Sequence, residues 1–338
     1  VHIQSATVNV NGAHVSGINS KGVIAISAAN REINDDDRLR VEEAATIIQI
    51  PPNREIIQVF AKNYRLDGQD NIKDPVGMQG VRLEVDTHIV TAATPNLRNL
   101  DTVLDKSHVV ANHHTVTSLA AAEAVLNRQQ KESGTLLLDI GAGTTNMVVI
   151  EDGEVQNVAV IPVGGINVTN DLAIGLKTDL DIAEQVKIKH ATLEKKPVKT
   201  FVRVEHEGRS HQFDGAEIQM IAEARIEELL ELVDKELKKI HKSRKLPGGV
   251  VIVGGSANLP GIAEFTKDRL ELAARVGKLQ PLTGLMDTVQ DSSYVGAVGL
   301  MLLDMLLMPS SSGQSYVSGK PNNAVFGAVE GLLKRFRK

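Results

Sequence analysis

Residues 135–150 read Thr-Leu-Leu-Leu-Asp-Ile-Gly-Ala-Gly-Thr-Thr-Asn-Met-Val-Val-Ile. Two apolar runs flank Gly141-Ala142-Gly143-Thr144-Thr145, which predicts two strands joined by a tight turn. Asp152-Gly153 marks a second turn and 155–161 reads as a third strand, so the stretch predicts a three-strand meander. Glycines at 141 and 143 let the backbone approach a phosphate closely, while Thr144 and Thr145 add amide and hydroxyl donors. Asp139, at the strand end, can hold a magnesium ion through its water. Ordinary β-turns use Gly-x-Gly as freely, so alone the segment decides little.

Downstream, Gly164-Gly165 precede a short helix, and 181–190 predict another on which Glu184 and Lys187 share a face at i, i+3. Most such pairs are merely solvated helix charges. A small hairpin is expected over 198–214. Ile218, Ile221, Ile226, Leu229, Leu230, Val233, Leu237 and Ile240 mark a long amphipathic helix that Leu246-Pro247-Gly248 closes. The apolar strand 250–253 then enters Gly254-Gly255-Ser256, a turn on which a flat adenine or ribose can lie against bare backbone, with a helix after Pro260. No Gly-x-x-x-x-Gly-Lys-Ser/Thr loop occurs. The apolar stretch 295–308 is shorter than the roughly 20 residues of a membrane span and contains Asp304, which predicts a buried helix.

Upstream, strands expected at 22–26, 56–60 and 81–90 mix with helices at 38–49 and 96–106, a compact α+β unit. Asp35-Asp36-Asp37 is a helix start with acid in its first turn. His113 and His114 are adjacent, so on a helix they diverge and make a poor metal pair. Val1, Ile3, Val8 and Val10 alternate up to Asn11-Gly12, which predicts an opening strand and hairpin and reads as a fragment whose upstream part is absent.

The 338 residues are 42% hydrophobic, enough for two or more packed units. A net charge of −5 with interspersed signs gives no reason to expect nucleic-acid binding. With no cysteine, disulfides and thiolate metal sites are excluded, and the composition suits a reducing cytoplasm. Residues 309–323 have the composition of a flexible linker. Beyond them Phe326, Val329, Leu332, Leu333 and Phe336 recur at helical spacing with Lys334, Arg335, Arg337 and Lys338 among them, the pattern of an amphipathic helix lying in a membrane interface. Against anionic lipid each basic residue adds about 1 kcal/mol.

The order strand-Asp-Gly-x-Gly-Thr, Gly-Gly before a helix, Ala183-Glu184-Gln185-Val186-Lys187, then strand-Gly-Gly-Ser resembles the actin, hexokinase and heat-shock-chaperone superfamily, whose two lobes close on ATP. Within it the chain resembles the FtsA family of bacterial cell-division proteins, through 71–85 (NIKDPVGMQGVRLEV), 139–149, 161–173 (IPVGGINVTNDLA) and 283–299. The resemblance implies an α/β, actin-like (ribonuclease H-like) two-lobed fold with an inserted FtsA-type 1C (SHS2) α+β subdomain. The implied layout puts subdomain 1C at 1–108 and remnants of 1A at 109–134 and 290–308. Subdomain 2A takes 135–178 and 246–289, 2B takes 179–245, the linker 309–323 and the membrane-targeting helix 324–338.

The resemblance further implies ATP and Mg2+ held by Asp139, Gly141, Gly143, Thr144, Thr145, Gly164, Gly165, Glu184, Lys187, Gly254, Gly255 and Ser256. Family members carry a first phosphate loop upstream of the 1C subdomain, before the point where this chain begins. A glutamate that positions water in some relatives is matched here by Thr117, which implies weak or absent hydrolysis. Implied partners are the C-terminal tail of the tubulin-like FtsZ, bound through 2B with Arg225 as a contact, further copies in a polymer, anionic lipid, and later divisome proteins. The implied location is the cytoplasmic face of the cell membrane at the division site. A PilM-like homologue of type IV pilus assembly and a soluble actin- or chaperone-like ATPase are the alternatives.

Overall fold

The computed structural model describes residues 4–196, 200–280 and 291–307. The linker 309–323 and the basic apolar stretch 324–338, with the membrane-binding residues expected there, lie outside the described residues. In chain order the first elements are β1 (Ser5–Asn9), β2 (Ser16–Ala25), α1 (Asp35–Ala45), β3 (Arg54–Leu66), β4 (Gln69–Ile72), β5 (Arg82–Ala93), α2 (Thr94–Lys106) and β6 (Val110–Thr115). Strands β2, β5, β3 and β4 pair antiparallel in that order. Asp67-Gly68 joins β3 to β4 with positive φ at both residues, the twist a two-residue hairpin requires.

Helix α1 begins where the acidic run predicts. The Asn34 side chain accepts the Asp37 amide while the Asp37 carboxylate accepts the Asn34 amide, a reciprocal cap. Its inner face buries Val41 and Ala45 with Ile33, just before the helix, and with Leu83 and Val85 of the sheet, and a Cβ on Gly22 would fall 2.0 Å from the Val41 carbonyl oxygen. The opening hairpin expected at Asn11-Gly12 does not form. β1 instead pairs in parallel with β6, Ser5 opposite Val110. Alternation fixes which face of a strand is buried but not its partner, and this partner lies far along the chain.

The remaining elements are α3 (Thr117–Val125), α4 (Arg128–Ser133), β7 (Thr135–Ile140), β8 (Thr145–Glu151), β9 (Glu154–Ile161), α5 (Gly165–Gly175), α6 (Leu180–His190), β10 (Phe201–His206), β11 (Arg209–Asp214), α7 (Gly215–Lys239), β12 (Gly249–Val253), α8 (Ile262–Leu270), β13 (Ala274–Val276) and α9 (Val295–Leu307). The expected meander forms, and the five-stranded sheet runs β13-β12-β7-β8-β9. Residues 136–138 of β7 and 250–253 of β12 are apolar without alternation because both strands are central and parallel, covered on each face. β13, three residues long, is too short for periodicity to reveal.

Helix α7 starts at Asp214, whose carboxylate accepts the Ala216 amide, and buries Ile218, Ile226, Leu229, Leu230, Val233 and Leu237. Helix α9 corrects one expectation. It buries Val295, Val298 and Leu303, but Met301 is 51% and Met305 is 69% exposed, so only one face is covered. No described helix is long and apolar enough to cross a membrane. Among the described residues, one compact unit takes those up to Thr117, Val149–Val158 and those from Leu300 on; the other takes Ser118–Val148 and Ala159–Gly299.

Candidate functional site

β7 and β12 run in parallel with Val253 opposite Asp139, so the turns that follow them leave the sheet at the same end. The carboxyl ends of adjacent parallel strands are where open α/β sheets take their ligands. Gly254 has φ 88°, and a Cβ on it would lie 2.5 Å from Asp139 Oδ1 and 2.6 Å from the Ile140 carbonyl oxygen. Only glycine fits there. The start of α5 is fastened to the first turn, since the Gly165 amide donates to the Gly141 carbonyl (2.9 Å) and the Ile166 amide to that of Ala142 (2.8 Å).

A pocket of about 410 Å³ opens among these segments. Its wall carries Gly141, Ala142, Gly165, Gly255 and Ser256 on one side, Val168, Ile188, Ile226, Leu259 and Pro260 as apolar surface, and Glu184, Lys187 and Asn258 as polar groups. That size and mixture suit a small polar ligand with one apolar end.

Two carboxylates give the region its electrostatics. Burial pushes Asp139 up to about 6, and among the described residues no cation pairs with it. For Glu184 burial acts upward, yet hydrogen bonds from Lys187 and Thr169 and the lysine charge hold it below the usual carboxylate range. Lys187 Nζ donates to Glu184 Oε2 (2.6 Å), Thr169 Oγ1 (2.9 Å) and the Gly165 carbonyl oxygen (3.1 Å).

Of the residues expected at the site, Gly141, Gly165, Glu184, Lys187, Gly255 and Ser256 lie on the pocket wall. Asp139, Gly143, Thr144, Thr145, Gly164 and Gly254 do not. Two of the expected residues have their donors committed within the protein. Thr145 is fully buried and its hydroxyl donates to the Val163 carbonyl oxygen (2.8 Å), so it fastens the turn instead of facing a ligand. The Gly164 amide donates to Asn167 Oδ1 (2.9 Å), and with the Gly165 amide also used, this pair offers close approach only. Open space surrounds the Gly143 Cα, where an added Cβ would meet nothing within 4 Å.

Sequence reasoning passed over Thr169 and the apolar wall. Ile188 beside Lys187 and Thr169 four residues after Gly165 were the available signals. Arg225 is engaged within the protein: Nη2 donates to Asp171 Oδ1 (2.9 Å), Nε to Asp171 Oδ2, and Nη1 to Glu228 Oε2 (2.6 Å). Thr117 donates to Asn9 Oδ1 (2.8 Å). His114 Nε2 lies 3.3 Å from Asp101 Oδ1.

A sheet whose central parallel strands end in glycine turns around such a pocket, in a chain that also carries a separate α+β unit, defines an actin-like fold with an SHS2 subdomain. Solved structures agree: the protein of a PilM–PilN type IV pilus biogenesis complex covers 85% of this chain and 76% of its own at 18% identity and TM-score 0.53. MreB5 of Spiroplasma citri bound to ADP covers 63% of this chain and 66% of its own at 19% identity and TM-score 0.50. The family model for the SHS2 domain inserted in FtsA matches residues 12–91, and that for cell division protein FtsA matches 136–299. FtsA of Pseudomonas aeruginosa is 32% identical over 96% of this chain and 79% of its own length, and that of Bacillus subtilis 35% identical over 88% and 68%. The chain belongs to the FtsA family of cell division proteins.

Proposed function

We propose that this cell division protein binds an adenine nucleotide with Mg2+ in the pocket beside β7, β12 and α5, and polymerises. It fixes FtsZ filaments to the cytoplasmic face of the membrane at the division site and recruits later divisome proteins. The observation that carries the nucleotide reading is Asp139, a buried carboxylate with no cationic partner among the described residues, beside glycine turns. A bound magnesium–nucleotide would supply the missing positive charge. Asp139 would hold the metal's water, Gly141, Gly255 and Ser256 would border the phosphates, Glu184 would meet the sugar, and Ile188, Ile226, Leu259 and Pro260 would cover the base. Thr117 in place of a water-positioning glutamate fits slow or absent hydrolysis.

The tether reading rests on the tail, where Phe326, Val329, Leu332, Leu333 and Phe336 sit among Lys334, Arg335, Arg337 and Lys338 against a single acid, Glu330. One such helix holds weakly; a polymer engages many at once. FtsZ recruitment through the α7 region requires Arg225 to exchange Asp171 for an acidic peptide. The test is co-sedimentation with anionic vesicles, with and without Mg-ATP, comparing the whole chain with one ending at Pro309. The whole chain is expected to pellet, more completely with Mg-ATP, and the shortened one to stay in solution. Equal sedimentation of the two would remove the tether reading, and indifference to Mg-ATP would remove its coupling to nucleotide.

A further inference from the structure

The geometry points to Thr169 as the positioning residue of this pocket, tying the Glu184–Lys187 pair to helix α5 so that one carboxylate oxygen is held ready for a sugar hydroxyl. The inference rests on the reading of the pocket as a nucleotide site. Thr169 is 1% exposed, on the second turn of α5. Its hydroxyl has one proton, and the Glu184 Oε2 acceptor is charged and closer than the Gly165 carbonyl oxygen at 3.2 Å, so the proton belongs to Glu184.

The Thr169 oxygen in turn accepts from Lys187 Nζ at 2.9 Å. All three protons of that ammonium are then committed, to Thr169, Glu184 and the Gly165 carbonyl. Lys187 is therefore an internal brace, with no proton left for a ligand. Glu184 Oε2 takes two donors, whereas Oε1 has no partner among the described residues, on a side chain that lines the pocket. An ionised carboxylate oxygen only accepts, so what it selects is a ligand hydroxyl. Without Thr169 the glutamate loses the contact that fixes its rotamer, and the lysine keeps its bond to the Gly165 carbonyl but loses its side-chain acceptor on α5.

The test is calorimetric titration of the whole chain with Mg-ADP, Mg-2′-deoxy-ADP and Mg-3′-deoxy-ADP, for the unmodified protein, Thr169→Val, Thr169→Ser and Glu184→Gln. The unmodified chain should prefer ADP over at least one deoxy analogue by about tenfold, the scale of one hydrogen bond to a charged group. Thr169→Val should lose most of that preference and Thr169→Ser should restore it. The Thr169→Val, Glu184→Gln double variant should discriminate no worse than Glu184→Gln alone, because the threonine acts through the glutamate. If Thr169→Val fails to fold, Thr169→Ala against Thr169→Ser makes the same comparison. A Thr169→Val protein that keeps the full sugar preference overturns this inference and leaves the nucleotide reading intact. An unmodified chain that binds no ADP overturns both.

Discussion

Asp139 and His88 are both deprived of water, and each pays in a different protonation state. Asp139, at about 6, is largely ionised at neutral pH with its charge opposed only by desolvation. Removing that charge while keeping the shape should therefore stabilise the fold: Asp139→Asn is expected to raise the unfolding free energy at pH 7 by roughly 1–3 kcal/mol. The same variant should lose Mg2+-dependent nucleotide binding. Urea denaturation beside ADP titration checks both, and a less stable Asp139→Asn would mean that the carboxylate already has a favourable partner.

His88 is held neutral, at about 3, by burial and by the nearby charge of Lys62. Its Nδ1 lies 2.8 Å from Asn19 Oδ1 and its Nε2 accepts the Val158 amide at 2.9 Å, which fixes the tautomer with the proton on Nδ1. The unfolded chain takes up this proton near pH 6.5 and the folded chain only near 3. Stability from this residue is thus complete above pH 6.5 and is lost as pH falls towards 3, by at most about 1.4 kcal/mol per pH unit. Asp139, protonated in the folded chain from about pH 6 downward, gives the opposite slope in either protein. The measure is therefore the difference in denaturation midpoint between the unmodified chain and His88→Gln, which should follow the His88 slope from pH 7.5 to 4.5. An unchanged slope in the variant would assign the acid sensitivity to other groups.

At the scale of elements, helix starts were legible because their signals are local. Asn34, with three acids after it, caps α1 by the reciprocal bonds its sequence allows. Asn34→Ala should cost about 1 kcal/mol and Asn34→Ser much less, read as thermal midpoints. Equal midpoints for Asn34→Ala and the unmodified chain would mean that the Asp37 carboxylate secures the end alone. The glycine turns of the site were legible for the same reason, as breaks at the ends of apolar strands. What escaped was non-local: the parallel pairing of β1 with β6, the three-residue β13, and the open Met301–Met305 face of α9. Thr169 escaped likewise, since a helical threonine gains its meaning only from the residues that α6 brings to it. Thr145 was misread in the opposite direction, because a hydroxyl beside Gly-x-Gly looks available until the strand that buries it is known.

For the whole molecule, the division into two units makes ligand binding a spatial test. Every residue on the pocket wall falls within Ser118–Val148 or Ala159–Gly299, and none falls in the unit that contains the β2-β5-β3-β4 sheet. A ligand that binds only the folded pocket stabilises it by about 2.7 kcal/mol at a hundred times its dissociation constant. If the two units open separately, that gain belongs to the unit that must stay closed to bind, so amide exchange should slow by about a hundredfold there and not elsewhere. With saturating Mg-ADP, exchange should slow at Leu136–Leu138 of β7 and Val250–Val253 of β12, and stay constant at Val59–Ala61 of β3 and Leu83–Val90 of β5. Equal slowing in both sheets would mean that they open as one cooperative block, and any nucleotide signal would then reach the SHS2 subdomain through folding stability itself. Slowing confined to β3 and β5 would move the nucleotide away from the pocket beside β7 and β12 altogether.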